Sequence, residues 1–172
     1  FEADNRMHPQ NKVFALVCIP ELAVRAEIIE QIVEHQIPGC LGLMDYDVVH
    51  WPLLEQKTIV LILERPTGGR VSNVLLQETS EYKKIDYLKA SLDGMIEGLG
   101  QLHSRGINHR AVRHDNLFFL DDTREEVLLG EFVSSPPGFD QPVAYETIER
   151  SMADEGGRGN GLAEDDMYAC GV

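Results

Sequence analysis

The most informative segment of this sequence reads HRAVRHDN, at positions 109–116. A long helical pattern precedes it, because apolar residues recur at helical spacing over 82–105 and Gly106 stands at the position of a helix C-cap. Two short apolar runs follow it, at 116–120 and 127–129, and they predict a pair of strands around a turn. A helix, a polar loop and a strand pair therefore succeed one another in the middle of the chain.

Further strands and a second helix are predicted on the N-terminal side of this segment. A partly β-branched apolar run at 12–19 predicts a buried strand, and helical spacing over 21–36 ends at Pro38. The runs at 41–51 and 57–63 predict two more strands. An order of strand, helix, strand pair, long helix and strand pair predicts an α+β fold.

Composition limits the classes of function. The chain has 172 residues, of which 43% are hydrophobic, enough for one domain with two small lobes. Its formal net charge of -14 disfavours binding to nucleic acid or to an anionic membrane. No apolar run approaches the roughly 20 residues of a membrane span. The cysteines, Cys18, Cys40 and Cys170, lack a CxxC spacing and predict reduced thiols in a cytoplasmic protein.

Several segments, in chain order, resemble the motifs of protein kinases. HRAVRHDN resembles the catalytic loop H-R-D-L-K-P-x-N without a gap, and LHSRGI at 102–107 resembles the usual approach to that loop. The further matches are VLILERP at 60–66 for the fifth strand and hinge, EFV at 131–133 for D-F-G, YETIE at 145–149 for Y-x-A-P-E, and DMYACGV at 166–172 for the start of helix F. The resemblance covers about residues 12–172.

This resemblance implies a single kinase-like domain over residues 1–172. A reduced N-lobe of antiparallel strands plus helix C is expected at about 12–64. A partial, mainly helical C-lobe is expected at about 70–172, ending at the start of helix F. Within it, the Gly-rich stretch 151–161 is expected to be a mobile linker.

The positions that carry phosphoryl transfer in the family differ here. That reaction depends on positioning and charge stabilisation by a few groups. The resemblance places Val17 at the nucleotide-binding lysine, Ala111 at the catalytic-loop aspartate and Glu131 at the metal-binding aspartate. A methyl group accepts no proton, and a glutamate moves its carboxylate by one methylene although Mg²⁺ requires ligands at roughly 2.1 Å. The resemblance therefore implies a degenerate catalytic site.

Some family positions are kept, with more than one interpretation. Glu27 is the best match for the helix C glutamate, but it also fits an ordinary exposed helix residue. Asn116 matches a metal ligand of the family, and it can equally brace the loop backbone. Asp115 is not expected to replace the missing base. Lys12 is expected on the opposite strand face from Val17 and hence not to replace the lysine.

The nucleotide site is expected to be incomplete. About a dozen residues precede Val13 and none is glycine, so the glycine-rich loop and both of its strands are expected to be absent. In the hinge at Glu64 to Pro66, the proline falls where most kinases offer a backbone N–H to adenine. Active Pim kinases carry the same Glu-Arg-Pro hinge, so this lowers ATP affinity without excluding binding. No cofactor and no metal are expected, including at His109 with His114.

Other kept positions imply structural roles. His109, Arg110, Glu149 and Asp166 are expected to brace the fold, with the Asp166 carboxylate accepting backbone N–H groups near His109 and Arg110. Arg110 is also available to a phosphate on the activation segment. The candidate phosphate carriers there are Ser134, Ser135 and Thr147.

The resemblance and the altered positions together imply a catalytically inactive pseudokinase. We expect a scaffolding or regulatory module that binds another protein or the rest of its own chain, in the cytoplasm. Two alternatives stay open, a degenerate serine/threonine-type protein kinase and a nucleotide-sensing module with residual ATP binding. Binding of Mg-ATP separates them from the first interpretation, because an enzyme must bind the phosphate donor.

Overall fold

The N-terminal half of the chain is a four-stranded antiparallel sheet with one helix. The computed structural model describes residues 1–4, 12–154 and 158–172. The strands are β1 (Glu2–Asp4), β2 (Lys12–Val17), β3 (Leu43–Trp51) and β4 (Gln56–Glu64), in the spatial order β1-β2-β4-β3. Helix α1 (Ala26–Glu34) follows β2 in the chain and packs against β3.

One face of this sheet is turned towards α1 and belongs to the core. Residues paired directly across an antiparallel ladder point to the same face. Phe14 pairs with Leu63 and Leu16 pairs with Leu61, and all four side chains pack in one apolar cluster with α1. The α1 members of this cluster are Ile28, Ile29 and Ile32. Because side chains alternate along a strand, Val17 points to the opposite face.

The C-terminal half is mainly helical and surrounds a small sheet. Its helices are α2 (Val71–Gln77), α3 (Glu81–His103), α4 (Ile148–Ser151) and α5 (Ala163–Cys170). Its strands are β5 (Gly69–Arg70), β6 (Leu117–Phe119) and β7 (Val127–Leu129), adjacent in that order. Helix α3 packs closely on β7: a Cβ on Gly94 would lie 2.2 Å from the carbonyl oxygen of Val127, so glycine is required there.

The two halves share one hydrophobic core and are joined by the chain itself and by hydrogen bonds. The chain passes from β4 to β5 through the hinge, and a backbone contact joins the segment before β3 to β7. In that contact, Leu41 N donates to Leu129 O at 2.7 Å and Leu129 N donates to Gly39 O at 2.9 Å. The catalytic-loop segment lies beside this junction, between α3 and β6. Within the described residues, no helix has the combined length and apolar character needed to cross a bilayer.

The α+β class predicted from the sequence is confirmed. Strands lie within or close to each of the ranges predicted, and the long helix predicted over 82–105 runs from Glu81 to His103. Helix α2 was not predicted, because its seven residues are too short for a helical period to be recognised. The first helix begins at Ala26 rather than at 21, and the residue before it is held by the C-terminal half, because Arg25 N donates to Val133 O at 2.9 Å.

Two expectations need correction, one about the segment before β2 and one about the stretch 151–161. One strand does precede β2, because Ala3 pairs with Val13 in an antiparallel ladder, so the expectation that both glycine-loop strands are absent was wrong. The stretch 151–161 is not a free linker over the part that the structure describes. Ser151 belongs to α4, and the Arg158 side chain is buried and donates to two backbone carbonyls. Residues 155–157 lie outside the described residues.

Candidate functional site

The catalytic-loop segment 109–116 is held by the buried carboxylate of Asp166. Oδ2 of Asp166 accepts from His109 N and Oδ1 accepts from Arg110 N, both at 2.7 Å. His103 Nε2 lies 3.0 Å from the same Oδ2. The start of α5 is thereby fixed to the start of the loop and to the end of α3. This is the contact that the resemblance implies for Asp166.

His109 connects the loop to the segment after β7. Its Nδ1 accepts from Ala111 N at 3.1 Å, so Nε2 carries the proton and donates to Gly130 O at 3.2 Å. Burial lowers the pKa of His109 to about 4, so the ring is neutral at pH 7. The ring also packs on Phe132, with the ring centroids 4.6 Å apart. His109 is therefore a structural residue of the loop core.

Asn116 braces the same two segments. Its Nδ2 donates to Ala111 O at 3.0 Å and to Glu131 O at 2.8 Å. Its Oδ1 lies against the backbone after β7, because a Cβ on Gly130 would be 2.0 Å away from it. Both N–H groups of the amide are thus engaged by backbone carbonyls. The sequence left two roles open for Asn116, a metal ligand and a brace of the loop backbone. The hydrogen bonds of its side chain are those of a backbone brace.

The space in front of Ala111 is nearly filled. Residues 135–140 pack over the loop there, and the cavity between them measures about 20 Å³. Hydrogen bonds hold this cover in place: Gly138 N donates to Arg110 O at 3.1 Å and Arg113 Nη1 donates to Asp140 O at 3.4 Å. Just beyond the cover, Gln141 Nε2 donates to Val112 O at 2.8 Å. A buried water occupies about 10–15 Å³ by the same kind of measure. The cavity that the half-buried Ala111 lines together with residues 135–140 therefore has room for about one water molecule.

Glu131 is turned back onto its own segment. Its carboxylate accepts from the backbone N–H groups of Val133 and Ser134, and from Ser134 Oγ at 2.8 Å. The Glu131 carboxylate thus accepts three hydrogen bonds from the two residues that follow Phe132. Within the described residues, no three metal-ligating side chains are grouped in a manner that could hold an ion. His114, for its part, forms a hydrogen bond with Tyr145 Oη at 2.5 Å.

Val17, which the resemblance places at the lysine position, lies on the sheet face turned away from α1, and its neighbour Leu16 lies on the face turned towards α1. A side chain that holds a nucleotide phosphate must lie on the sheet face turned towards α1 and the loops. That face carries Leu16, paired with the fully buried Leu61, whereas Val17 points away. Lys12 shares the face of Leu16 but lies four residues along the strand, roughly 13 Å away, at the hinge end. The position is therefore apolar.

The inward position at the start of α1 belongs to Arg25 and not to Glu27. Glu27 is exposed, which agrees with its interpretation as an ordinary helix residue. Arg25 is buried, and its Nη1 donates to His109 O at 3.2 Å and to Phe132 O at 3.3 Å. Sequence reasoning missed this residue. The signal was available, since Arg25 continues the spacing of Ile28, Ile29 and the rest of the buried helix face.

Arg110 has a buried carboxylate partner that the sequence analysis also missed. Its Nη2 donates to both carboxylate oxygens of Glu146, at 3.0 and 2.9 Å, and both side chains are almost completely buried. The expectation that Arg110 is available to a phosphate is therefore wrong for this conformation. Glu149 is exposed, and the described part of the chain gives it no hydrogen bond or ion pair, so its structural role stays a prediction.

The hinge presents few backbone donors. Glu64 N donates to Gly42 O at 2.8 Å and Arg65 N donates to Lys12 O at 3.2 Å. Pro66 has no N–H group. The next residue, Thr67, donates its N–H to Leu120 O at 3.0 Å. The N–H groups of residues 64, 65 and 67 are thus each bound to a carbonyl of the protein itself.

Comparisons with known proteins agree with this architecture. The chain is similar to a curated relative from Malus domestica, a calcium/calmodulin-dependent serine/threonine-protein kinase, with 28% identity over 156 residues that cover 88% of this chain and 35% of the relative. Its structure is similar to the crystal structure of Rad53 1-466 in complex with AMP-PNP, with a TM-score of 0.67 and 17% identity over 99% of this chain and 41% of that chain. No family model matches. The chain has a protein-kinase-like α+β fold and is similar in sequence to a protein kinase.

Proposed function

We propose that this chain is a pseudokinase, a module that transfers no phosphate and acts by binding another protein or the rest of its own chain. The observation that carries the proposal is the filled space in front of Ala111. About 20 Å³ is left there, whereas phosphoryl transfer brings a peptide hydroxyl and a γ-phosphate together at this point. The methyl group of Ala111 also offers nothing that would orient the hydroxyl or accept its proton.

The nucleotide side of the site supports the same proposal. Adenine is held in kinases through backbone groups of the hinge, and here the available N–H groups from 64 to 67 already have carbonyl partners. A nucleotide would have to compete with those hydrogen bonds. Each bond to a protein group contributes about 0.5–1.5 kcal/mol net, so displacing one removes most of what an adenine contact would add.

The charges that stabilise a transferring phosphate are also missing from the described cleft. Leu16 stands on the inward sheet face where a cation would be needed. The Glu131 carboxylate already accepts hydrogen bonds from the backbone N–H groups of Val133 and Ser134. Loss of single groups of this kind typically reduces rates by several powers of ten, and the losses here occur together.

An exposed apolar stripe on α3 supports the binding role. Ile85, Leu88, Leu92 and Ile96 lie at helical spacing, and each is about half exposed. Contiguous apolar surface of this kind typically marks a contact with protein. The net charge of -14 makes a nucleic acid or an anionic membrane an unfavourable partner. We place this binding in the cytoplasm.

Titration with Mg-ATP tests the non-catalytic proposal. A ligand at 100 times its Kd raises the free energy of unfolding by about 2.7 kcal/mol. We expect thermal denaturation to give no saturable shift up to millimolar Mg-ATP, and a radiolabel assay on general protein substrates to give no incorporation. Phosphate transfer that is lost in Asn116→Ala would overturn the proposal.

A second candidate is a module that binds nucleotide, with or without slow transfer. It is favoured by the sequence similarity to a relative that is described as a serine/threonine-protein kinase. The AMP-PNP present in the similar solved structure also favours it. The same titration separates the candidates. A saturable shift without transfer supports a nucleotide sensor, and a shift with transfer supports a degenerate enzyme.

A further inference from the structure

Arg25 is a buried cation, and the hydrogen bonds that it donates reach across the junction of the two halves. It is 4% exposed and stands immediately before α1. Its Nη1 donates to His109 O at 3.2 Å in the catalytic-loop segment and to Phe132 O at 3.3 Å after β7. Its backbone N donates to Val133 O at 2.9 Å. One residue of the N-terminal half therefore binds two separate segments of the C-terminal half.

Helix stability does not account for this arrangement. A cation at the N-terminus of a helix interacts unfavourably with the helix dipole, and Arg25 makes no side-chain capping bond to α1. Burial of the guanidinium is costly as well, since desolvation is the largest influence on its pKa and lowers it. The carbonyls of His109 and Phe132 compensate in part, together with the ring of Phe132, whose centroid is 5.5 Å from the guanidinium carbon. The charges of Asp166, Glu27 and Glu131 also act against the effect of burial on the Arg25 pKa.

We propose that Arg25 is an interlobe clamp, a residue that fixes α1 against the catalytic-loop segment without any ligand. In a kinase, a lysine of the sheet and a glutamate of helix C form a direct ion pair, so the corresponding link depends on two side chains of the N-terminal half. Here Leu16 and the exposed Glu27 form no such pair. Arg25 instead binds backbone carbonyls, which are present in every state of the folded loop.

The clamp has a consequence that does not depend on whether the module binds nucleotide. Helix α1, Phe132 and His109 should open and close as one unit, because the two carbonyls and the Phe132 ring share one guanidinium. Within the described residues, the hydrogen bonds that Arg25 donates go to the C-terminal half and none goes to the β3–β4 hairpin. The position of α1 is thus set by the C-terminal half and not by the sheet alone.

Amide hydrogen exchange of Arg25→Met tests the clamp. Methionine keeps the unbranched apolar part of the side chain but removes every donor. We expect exchange in residues 26–34 and 131–134 to become faster by about ten-fold or more, since hydrogen bonds to a charged donor are lost. Exchange in α3 should stay within about two-fold of the wild type. Arg70→Met is the matched control, because its guanidinium lies 5.5 Å from the Phe118 ring but is exposed.

Three outcomes are informative. Faster exchange confined to α1 and 131–134 supports the clamp. Equal acceleration in α3, or no acceleration in α1, overturns it. If Arg25→Met does not fold, exchange of the wild type in low urea gives the answer: opening of α1 together with 131–134 supports the clamp, whereas opening of α1 together with the β3–β4 hairpin overturns it.

Discussion

The support of the catalytic-loop segment and the surface in front of it differ sharply in chemistry. Behind the loop, Asp166, His109 and Asn116 bind backbone groups with ordinary hydrogen-bond geometry. In front of it, the described cleft presents Ala111 and Leu16. The side chains that face the fold thus bind backbone groups of the loop, whereas on the side that would face a substrate positions 16 and 111 are apolar and the Glu131 carboxylate is bound to its own segment.

This difference teaches that loop shape and loop chemistry are separable in this fold. The supporting side chains contact backbone N–H and C=O groups, which do not change when a neighbouring side chain is replaced. A substitution such as aspartate to alanine at 111 removes chemistry but leaves those backbone groups in place. The two sides of the loop should therefore differ in how much they contribute to the free energy of unfolding.

The largest effect is expected for the buried ion pair of Arg110. Replacement Glu146→Ala leaves the guanidinium buried without a partner, which should lower the free energy of unfolding by about 3–5 kcal/mol. Urea denaturation measures it. Glu149→Ala is the matched control three residues away, and its exposed side chain should change stability by less than about 0.5 kcal/mol. Equal effects of the two substitutions would contradict the assigned pairing.

A pH effect of about 3 kcal/mol is expected from His109. The folded pKa is about 4, below an ordinary value of roughly 6.5, so the unfolded chain binds a proton first as the pH falls. The contribution of His109 to the free energy of unfolding is therefore largest above pH 6.5, and it is lost progressively as the pH falls to about 4. Denaturation at pH 7 and at pH 4.5 measures the loss. His109→Phe should make the difference smaller, and an unchanged difference would assign it to other groups.

Removal of the Asp166 carboxylate should come next. Asp166→Ala leaves the N–H groups of His109 and Arg110 buried without acceptors, which should cost about 1.5–3 kcal/mol. For a domain of this size the melting temperature should fall by roughly 4–12 °C. Asp115→Ala serves as the control, because its carboxylate pairs with Arg113 in a partly exposed position. A neutral Asp166→Ala would mean that the loop is held from elsewhere.

A smaller effect is expected on the cleft side. Glu131→Ala removes a side chain that accepts from two backbone N–H groups, much as a helix N-cap does, and should cost about 1 kcal/mol. Glu131→Gln keeps an acceptor and should cost less. Urea denaturation of the pair measures the difference. A cost above that of Asp166→Ala would reverse the comparison and make the front of the loop the better-structured side.

The sequence was most informative where a motif is contiguous. HRAVRHDN and the segment that begins at Asp166 have no gaps, and the hydrogen bonds implied between them are present. Long-range partners were harder to predict. Glu146 and Glu149 differ by three positions in the chain, and only the tertiary packing places Glu146 next to Arg110.

The inward face of β2 was assigned with an error of one residue. A shift of one position along a strand moves a side chain to the other face of the sheet. Nothing in the run KVFALV marks which alternate set is buried, because every residue after Lys12 is apolar. The pairing with β4 resolves the ambiguity and replaces Val17 by Leu16. The helix start was also misplaced, at 21 instead of Ala26.

The smallest effect is expected for restoring the chemistry of the cleft. The triple variant Leu16→Lys, Ala111→Asp and Glu131→Asp supplies a cation, a base and a shorter carboxylate. We expect no phosphotransfer in a radiolabel assay, because residues 135–140 still fill the space in front of position 111 and the hinge N–H groups keep their carbonyl partners. Val17→Lys in place of Leu16→Lys is the control for strand face. The expectation would be contradicted if the triple variant with Leu16→Lys transferred phosphate, the one with Val17→Lys did not, and Asn116→Ala abolished the transfer. In that case residues 135–140 would open readily, and only three side chains would distinguish this cleft from an active one.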